Sequence, residues 1–260
     1  MSGLDRVGMR KAFEEIARQA GEVIMEVYEA GPTVTLKQDE SPVTEADSRA
    51  EAIILGALRT RWPGIPVVAE EEIASGHLPG DLGSRFFLVD PLDGTREFID
   101  RRGDFTVNIA LVESGVPTVG VVYAPARGEL YSGGPDGAFL CDDSGNARTI
   151  AARVAPSAVV AVASRSHRTP ETDAYLQRFE IADLVSIGSS LKFCLVASGR
   201  ADLYPRLGRT MEWDTAAGDA VLRAAGGSTE TIDGADLIYG KRNQADDADF
   251  ANPYFISRGG

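Results

Sequence analysis

Basic residues, cysteines and histidines are all scarce in this chain of 260 residues. Lys and Arg number 26 against 39 Asp and Glu, leaving a formal net charge of −13. A polynucleotide partner wants a basic face, so the charge argues against a nucleic-acid polymer as ligand. The two cysteines, Cys141 and Cys194, lie far apart and lack metal-ligand spacing. They are expected as buried free thiols in a reducing compartment. His77 and His167 are too few and too separated for a histidine-based metal cage. No run approaches the ~20 apolar residues that span a bilayer, and the N-terminus lacks a signal-peptide pattern. The expected location is therefore cytoplasmic, without membrane insertion, and peripheral association stays open. No Gly-x-Ser-x-Gly elbow supports a serine hydrolase. Gly234 to Lys241 fails as a phosphate loop, because five residues separate its glycines and Arg242 follows the lysine.

What is present is an ordinary globular composition, 43% hydrophobic and 25% charged. The length suits one extended domain or two intimate ones. The most informative stretch is Asp90-Pro91-Leu92-Asp93-Gly94-Thr95, preceded by the apolar Phe86-Phe87-Leu88-Val89 and followed by Arg96-Glu97-Phe98-Ile99. It reads as a buried strand, a turn and a helix start, which places two carboxylates where open α/β sheets hold ligands. Pro91 stiffens the turn, and Gly94 permits a tight backbone where a ligand approaches. Asp93 is placed to cap the helix, whose free N–H groups would receive an anion. Two hard oxygen donors beside an anion site suggest Mg²⁺ bridging to phosphate. A strand–turn–helix with Asp93 as a mere cap is the competing reading. A bound divalent cation also resolves how so acidic a protein could take an anionic ligand.

Upstream, Leu4, Val7, Phe13, Ile16, Ala17, Ala20, Ile24 and Val27 predict an amphipathic helix over 4–29, ended by Gly31-Pro32. A polar loop or hairpin around Lys37 follows. Thr44 and Asp47 then stand in capping-box spacing at the start of a second helix whose apolar face is Ile53, Ile54, Ala57 and Leu58. A short strand over 65–69 ends in Glu70-Glu71-Glu72, mutually repelling acids that read either as a solvated turn or as a cation site. Residues 74–85 read as a loop, which puts Glu70 and Asp90 at the ends of neighbouring strands. Thr106–Val112 and Val116–Tyr123 predict a hairpin, with further short strands at 130–131 and 138–140.

A boundary is expected within 141–157, dividing an α+β half (1–145) from an α/β half (146–260). In the second half, strands are expected at 158–163, 184–187 and 201–204. Helices are expected from Thr169-Pro170 to about Phe179, from Gly188-Ser189-Ser190 onward, and over Thr215–Ala225, stopped by Gly226-Gly227. Strand ends then present Ser164, Arg165, His167, Ser189, Lys192 and Arg206, groups suited to phosphate oxygens. Taken singly, each reads first as structural, and Lys192 as simply solvent-exposed.

Three separated motifs together resemble the inositol monophosphatase superfamily of Mg²⁺-dependent, Li⁺-inhibited phosphatases. They are Asp90-Pro91-Leu92-Asp93-Gly94-Thr95, Glu70-Glu71, and Trp213-Asp214-Thr215-Ala216-Ala217-Gly218. Within it, five further phrases are most similar to the bacterial 3'(2'),5'-bisphosphate nucleotidases of the CysQ type. These are Arg96–Ile99, Phe105–Ala110, Ser164–His167, Gly188–Phe193 and Tyr204-Pro205-Arg206. The likeness runs from the first helix to Gly226-Gly227. Thr210-Met211-Glu212 and the sequence after Gly227 read as ordinary variation.

The resemblance implies a layered αβαβα sandwich, with an antiparallel-rich first sheet and a smaller half built on a mixed sheet. It implies two to three Mg²⁺ ions on Glu70, Asp90, Asp93, Asp214 and the Leu92 carbonyl, with inhibition by Li⁺. Asp47 and Thr95 would orient and deprotonate the attacking water. Gly94 and Thr95 amides would hold the scissile phosphate, with Asp214 bordering the substrate as well. Ser189, Lys192 and Arg206 would hold a second phosphate, with Ser164 and His167 nearer the nucleoside. Lys37 would close over the ions. The implied reaction removes the 3'-phosphate of 3'-phosphoadenosine 5'-phosphate in sulfate assimilation, by a monomer or homodimer. The alternatives are an inositol monophosphatase or broader sugar phosphatase, including one acting on fructose 1,6-bisphosphate, and a catalytically silent sensing module.

Overall fold

In the computed structural model, residues 4–36, 42–166 and 168–260 are described. Lys37 and His167 lie outside them. The chain opens with helix α1 (Arg6–Ala30), a hairpin of β1 (Val34–Leu36) and β2 (Pro42–Thr44), and helix α2 (Glu45–Arg61). Then come β3 (Val67–Ala69), α3 (Glu70–Ala74), β4 (Arg85–Asp93) and α4 (Thr95–Ile99). A meander follows: β5 (Thr106–Glu113), β6 (Val116–Ala124), β7 (Glu129–Gly134), β8 (Gly137–Asp142) and β9 (Ala147–Ile150). The remainder is β10 (Ala158–Ser164), α5 (Pro170–Leu176), β11 (Glu180–Ile187), α6 (Leu191–Ala197), β12 (Leu203–Arg206), α7 (Ala216–Ala224), β13 (Ser228–Thr231) and β14 (Phe255–Arg258).

The layers alternate helix and sheet, as expected. Strands β3 to β9 form one seven-stranded sheet in chain order, parallel only between β3 and β4. The second sheet runs β11-β10-β12-β14-β13 and is mixed, with β14 antiparallel to both neighbours. Strand β4 reads as a continuous apolar run because both its faces are covered. Phe87 and Val89 meet α1 and α2, while Phe86 and Leu88 face the layer of α6 and α7. Those helices sit between the sheets, joining Leu88 and Val122 on one side to Val162, Tyr204 and Phe255 on the other. Helix α5 covers the outer face of the second sheet through Leu176, Val159 and Leu203. Gly120 lets α7 approach closely, since a Cβ there would lie 2.4 Å from the Ala217 carbonyl oxygen.

Several local expectations change. Glu70-Glu71-Glu72 form the first turn of α3, where acids favour the helix dipole, and not a turn. Arg59 pairs with Glu72 at 2.7 Å. The buried face of α2 is Ala50, Ile54, Leu55 and Leu58, with Ile53 and Ala57 half-buried. Strand β4 continues through Pro91 to Asp93 with a shift of register, an irregularity that accommodates the proline. Strands β9, β13 and β14 were not expected, and β9 extends the first sheet to Ile150, beyond residue 145.

Candidate active site

The ends of both sheets meet at one cavity of about 290 Å³. Parallel pairing of β3 and β4 sets Ala69 opposite Val89, so Glu70 and Asp90 emerge side by side. The same cavity is lined by Leu92, Asp93, Gly94, Thr95 and Asp214 from around the first sheet. From the second half come Ser164 at the end of β10, Ser189 before α6, Lys192 on α6 and Arg206 at the end of β12. Two sets of residues distant in sequence thus share one space.

Asp90 is 1% exposed, and its Oδ1 accepts the Leu92 N–H at 3.0 Å. Thr95 Oγ1 donates to the Leu92 carbonyl at 3.4 Å. Asp93 does not cap α4. The cap is Gly94, in the left-handed region at φ 92°, with no side-chain cap bond. Asp93 Oδ2 instead accepts the Ser190 N–H at 2.7 Å and Asn108 Nδ2 at 3.4 Å. Asp214 Oδ2 accepts the Met211 N–H at 2.8 Å, and its carbonyl accepts Ser190 Oγ at 2.5 Å. Asp47 closes the expected capping box: its Oδ2 accepts the Thr44 N–H and Oγ1, both at 2.8 Å.

Burial, then repulsion from Glu70, Asp93 and Asp214, pushes Asp90 well above the usual carboxylate range. Burial, then the charges of Asp93 and Glu70, raises Asp214 to about 8. Burial raises Asp93 to about 6 against the pull of Lys192. Acids that still raise one another's pKa beside Lys192 and Arg206 call for further positive charge among their own oxygens. Hard carboxylate and carbonyl oxygens are the donors Mg²⁺ takes, so the residues fit that ion. No three such side chains among the described residues stand arranged to hold an ion as they are. Asp93 and Asp214 each spend an oxygen on a backbone N–H.

Lys192 is buried, 5% exposed, rather than turned to solvent. Its Nζ donates to the Ser189 carbonyl at 2.5 Å and lies 5.5 Å from the Tyr204 ring centre. Burial lowers it to about 8 against the attraction of Asp93. Arg206 is 8% exposed and donates through Nη2 to the Arg209 carbonyl at 3.0 Å, while its buried Nε has no partner among the described residues. An orphaned guanidinium N–H in a cavity wall is a donor awaiting an acceptor.

Sequence reasoning did not give Ser190 or Asn108 a role. Asn108 is a fully buried amide in a mostly apolar strand, which was a signal that its partners matter. Glu97, also at the cavity, accepts Ser166 Oγ at 2.6 Å and links the two halves.

The fold and the site meet in a known family. The model of the inositol monophosphatase family matches residues 5–252, and the chain belongs to that family. The 3'(2'),5'-bisphosphate nucleotidase CysQ of Salmonella typhimurium is 46% identical over 243 residues, 93% of this chain and 96% of that protein. The crystal structure of CysQ from Bacteroides thetaiotaomicron superposes with a TM-score of 0.80 at 39% identity, covering 97% of each chain. An inositol monophosphatase from Anabaena (Nostoc) sp. PCC 7120 gives a TM-score of 0.76 at 26% identity, over 99% of this chain and 92% of that one.

Proposed function

We propose that the protein is a Mg²⁺-dependent phosphomonoesterase that removes the 3'-phosphate of 3'-phosphoadenosine 5'-phosphate, giving AMP and phosphate. The observation that carries this reading is the buried cation pair, Lys192 and Arg206, in the cavity that also gathers Glu70, Asp90, Asp93 and Asp214. A single phosphate beside divalent cations would not need two further buried cations, whereas a second phosphate would. The identity to CysQ supports the same substrate class.

Glu70, Asp90, Asp93, Asp214 and the Leu92 carbonyl would hold two to three Mg²⁺ ions. When bound, such ions lower the pKa of water and offset charge on the leaving oxygen. Thr95 and Asp47 orient the attacking water and take its proton. As the water oxygen bonds to phosphorus, the bond from phosphorus to the 3'-oxygen breaks, its electron pair stays on that oxygen, and the departing alkoxide takes a proton from solvent to become the 3'-hydroxyl. The amides of Gly94 and Thr95 hold the scissile phosphate, and Ser189, Lys192 and Arg206 hold the other one. Ser164 borders the nucleoside; His167 lies outside the described residues. On this reading residues 1–145 carry most cation ligands, and residues 146–260 carry Asp214 and the substrate contacts. Sulfate assimilation, a cytoplasmic setting and inhibition by Li⁺ belong to the same proposal.

The test is product analysis with Mg²⁺ and with a chelator. The reading expects AMP and phosphate, and no turnover in chelator. Loss of the 5'-phosphate, or an unchanged rate in chelator, would refute it.

A further inference from the structure

The chain after Gly227, unremarkable in sequence, is tied to the turn that carries Asp214. Asn252 is 5% exposed and spans that turn. Its backbone N–H donates to the Thr210 carbonyl at 2.9 Å. That carbonyl belongs to the peptide whose N–H, on Met211, holds Asp214 Oδ2 at 2.8 Å. Asn252 Nδ2 reaches the Met211 carbonyl at 2.8 Å, Thr215 Oγ1 at 3.0 Å and Thr210 Oγ1 at 3.2 Å. Contacts thus fall on both sides of Asp214 in the sequence.

The amide is itself fixed. Lys241 Nζ donates to Asn252 Oδ1 at 3.2 Å and pairs with Glu212 at 2.7 Å. Glu212 is fully buried and accepts the N–H groups of Gly240 at 2.6 Å and Lys241 at 2.9 Å. Its own N–H donates to the Phe250 carbonyl at 2.8 Å. Residues 238–252 therefore form a strap over the Asp214 turn, bonded from both of its ends.

We propose that Asn252, with the Glu212–Lys241 pair behind it, is a positioning residue that sets the Asp214 carboxylate for cation binding. This role rests on Asp214 being a cation ligand, as in the function proposed above. Groups that orient a ligand typically govern metal affinity by about 10- to 100-fold. A bare stability role would instead lower the melting temperature and leave affinity alone.

The test is calorimetric titration of the metal-free, full-length protein with Mn²⁺, without substrate, beside thermal unfolding of each variant. Asn252→Ala is expected to weaken Mn²⁺ binding by at least about 10-fold. Its turnover is expected to recover at high Mg²⁺. Should that variant not fold, Lys241→Gln carries the same expectation. Val159→Ala, in the core under α5, serves as a destabilised control that keeps normal affinity. Wild-type affinity in the folded strap variants overturns the proposal. Asp214→Asn separates the two claims: if it weakens binding and the strap variants do not, only the strap role fails. If Asp214→Asn binds Mn²⁺ normally, the ligand assignment falls and the strap role with it.

Discussion

Ser190 donates its backbone N–H to Asp93 Oδ2 at 2.7 Å, joining residues that stand 97 apart in the chain. One hydrogen bond thereby ties the acidic end of β4 to the N-cap of the helix that presents Lys192. Asp93 and the helix of Lys192 are thus set by one contact.

Removing either buried cation should discriminate between substrates. Charge-assisted hydrogen bonds are worth about 1.5–3 kcal/mol. Lys192→Ala and Arg206→Ala are therefore expected to raise KM for the bisphosphate by about 10- to 100-fold. The change for a simple sugar monophosphate should be much smaller. Steady-state kinetics on both substrates checks this, and equal effects would count against a second-phosphate site.

Gly94 has φ 92°, and a Cβ there would lie 3.1 Å from the Asp104 carbonyl oxygen. Strain in this region costs about 1–3 kcal/mol. Gly94→Ala should lower stability by that order in denaturant unfolding. Its kcat should fall as well, because this residue caps α4, which begins at Thr95.

Much of this region was legible beforehand. The doubly covered strand β4 announces itself as an unbroken apolar run, and Thr44 with Asp47 announces a capping box. The role of Asp93 was not legible, because local spacing cannot reveal that a distant N–H on Ser190 competes for its carboxylate. Strands β13 and β14 escaped for a related reason. They are four residues each, and pairing of β14 with β12 and of β13 with β14 decides them more than their own propensity does.

Capping and chemistry should separate at the start of α2. Thr44→Ala loses the hydroxyl that caps the helix and is expected to cost about 1 kcal/mol of stability, with kcat falling far less than on loss of Asp47, whose Oδ2 keeps the Thr44 N–H. Asp47→Asn is expected to lower kcat by about 10²- to 10⁴-fold, the range for loss of a general base. Parallel unfolding and kinetic measurements decide it.

Glu51 gives a pH dependence of stability. Burial raises it from 4.5 to about 7, against the hydrogen bond from the Glu71 N–H and with repulsion from Glu71, Glu72 and Glu70. Between 4.5 and about 7 the folded protein keeps a proton that the unfolded chain releases. The stability contributed by this group is thus present at low pH and lost as pH rises through that window. Glu51→Gln keeps an acceptor for the Glu71 N–H, removes this contribution to the slope, and should gain on the order of 1–3 kcal/mol at pH 8. Unfolding in chelator at pH 5 and pH 8 measures it; an identical slope in the variant would contradict the assignment.

The central claim is that one cavity joins a Mg²⁺ site to a second-phosphate site. It is tested most directly by phosphate release with Mg²⁺ from 3'-phosphoadenosine 5'-phosphate, inositol 1-phosphate and fructose 1,6-bisphosphate at equal concentration. The account predicts a strong preference for the nucleotide. A preference for inositol 1-phosphate would contradict it, leaving the acidic site standing and the roles of Ser189, Lys192 and Arg206 wrong.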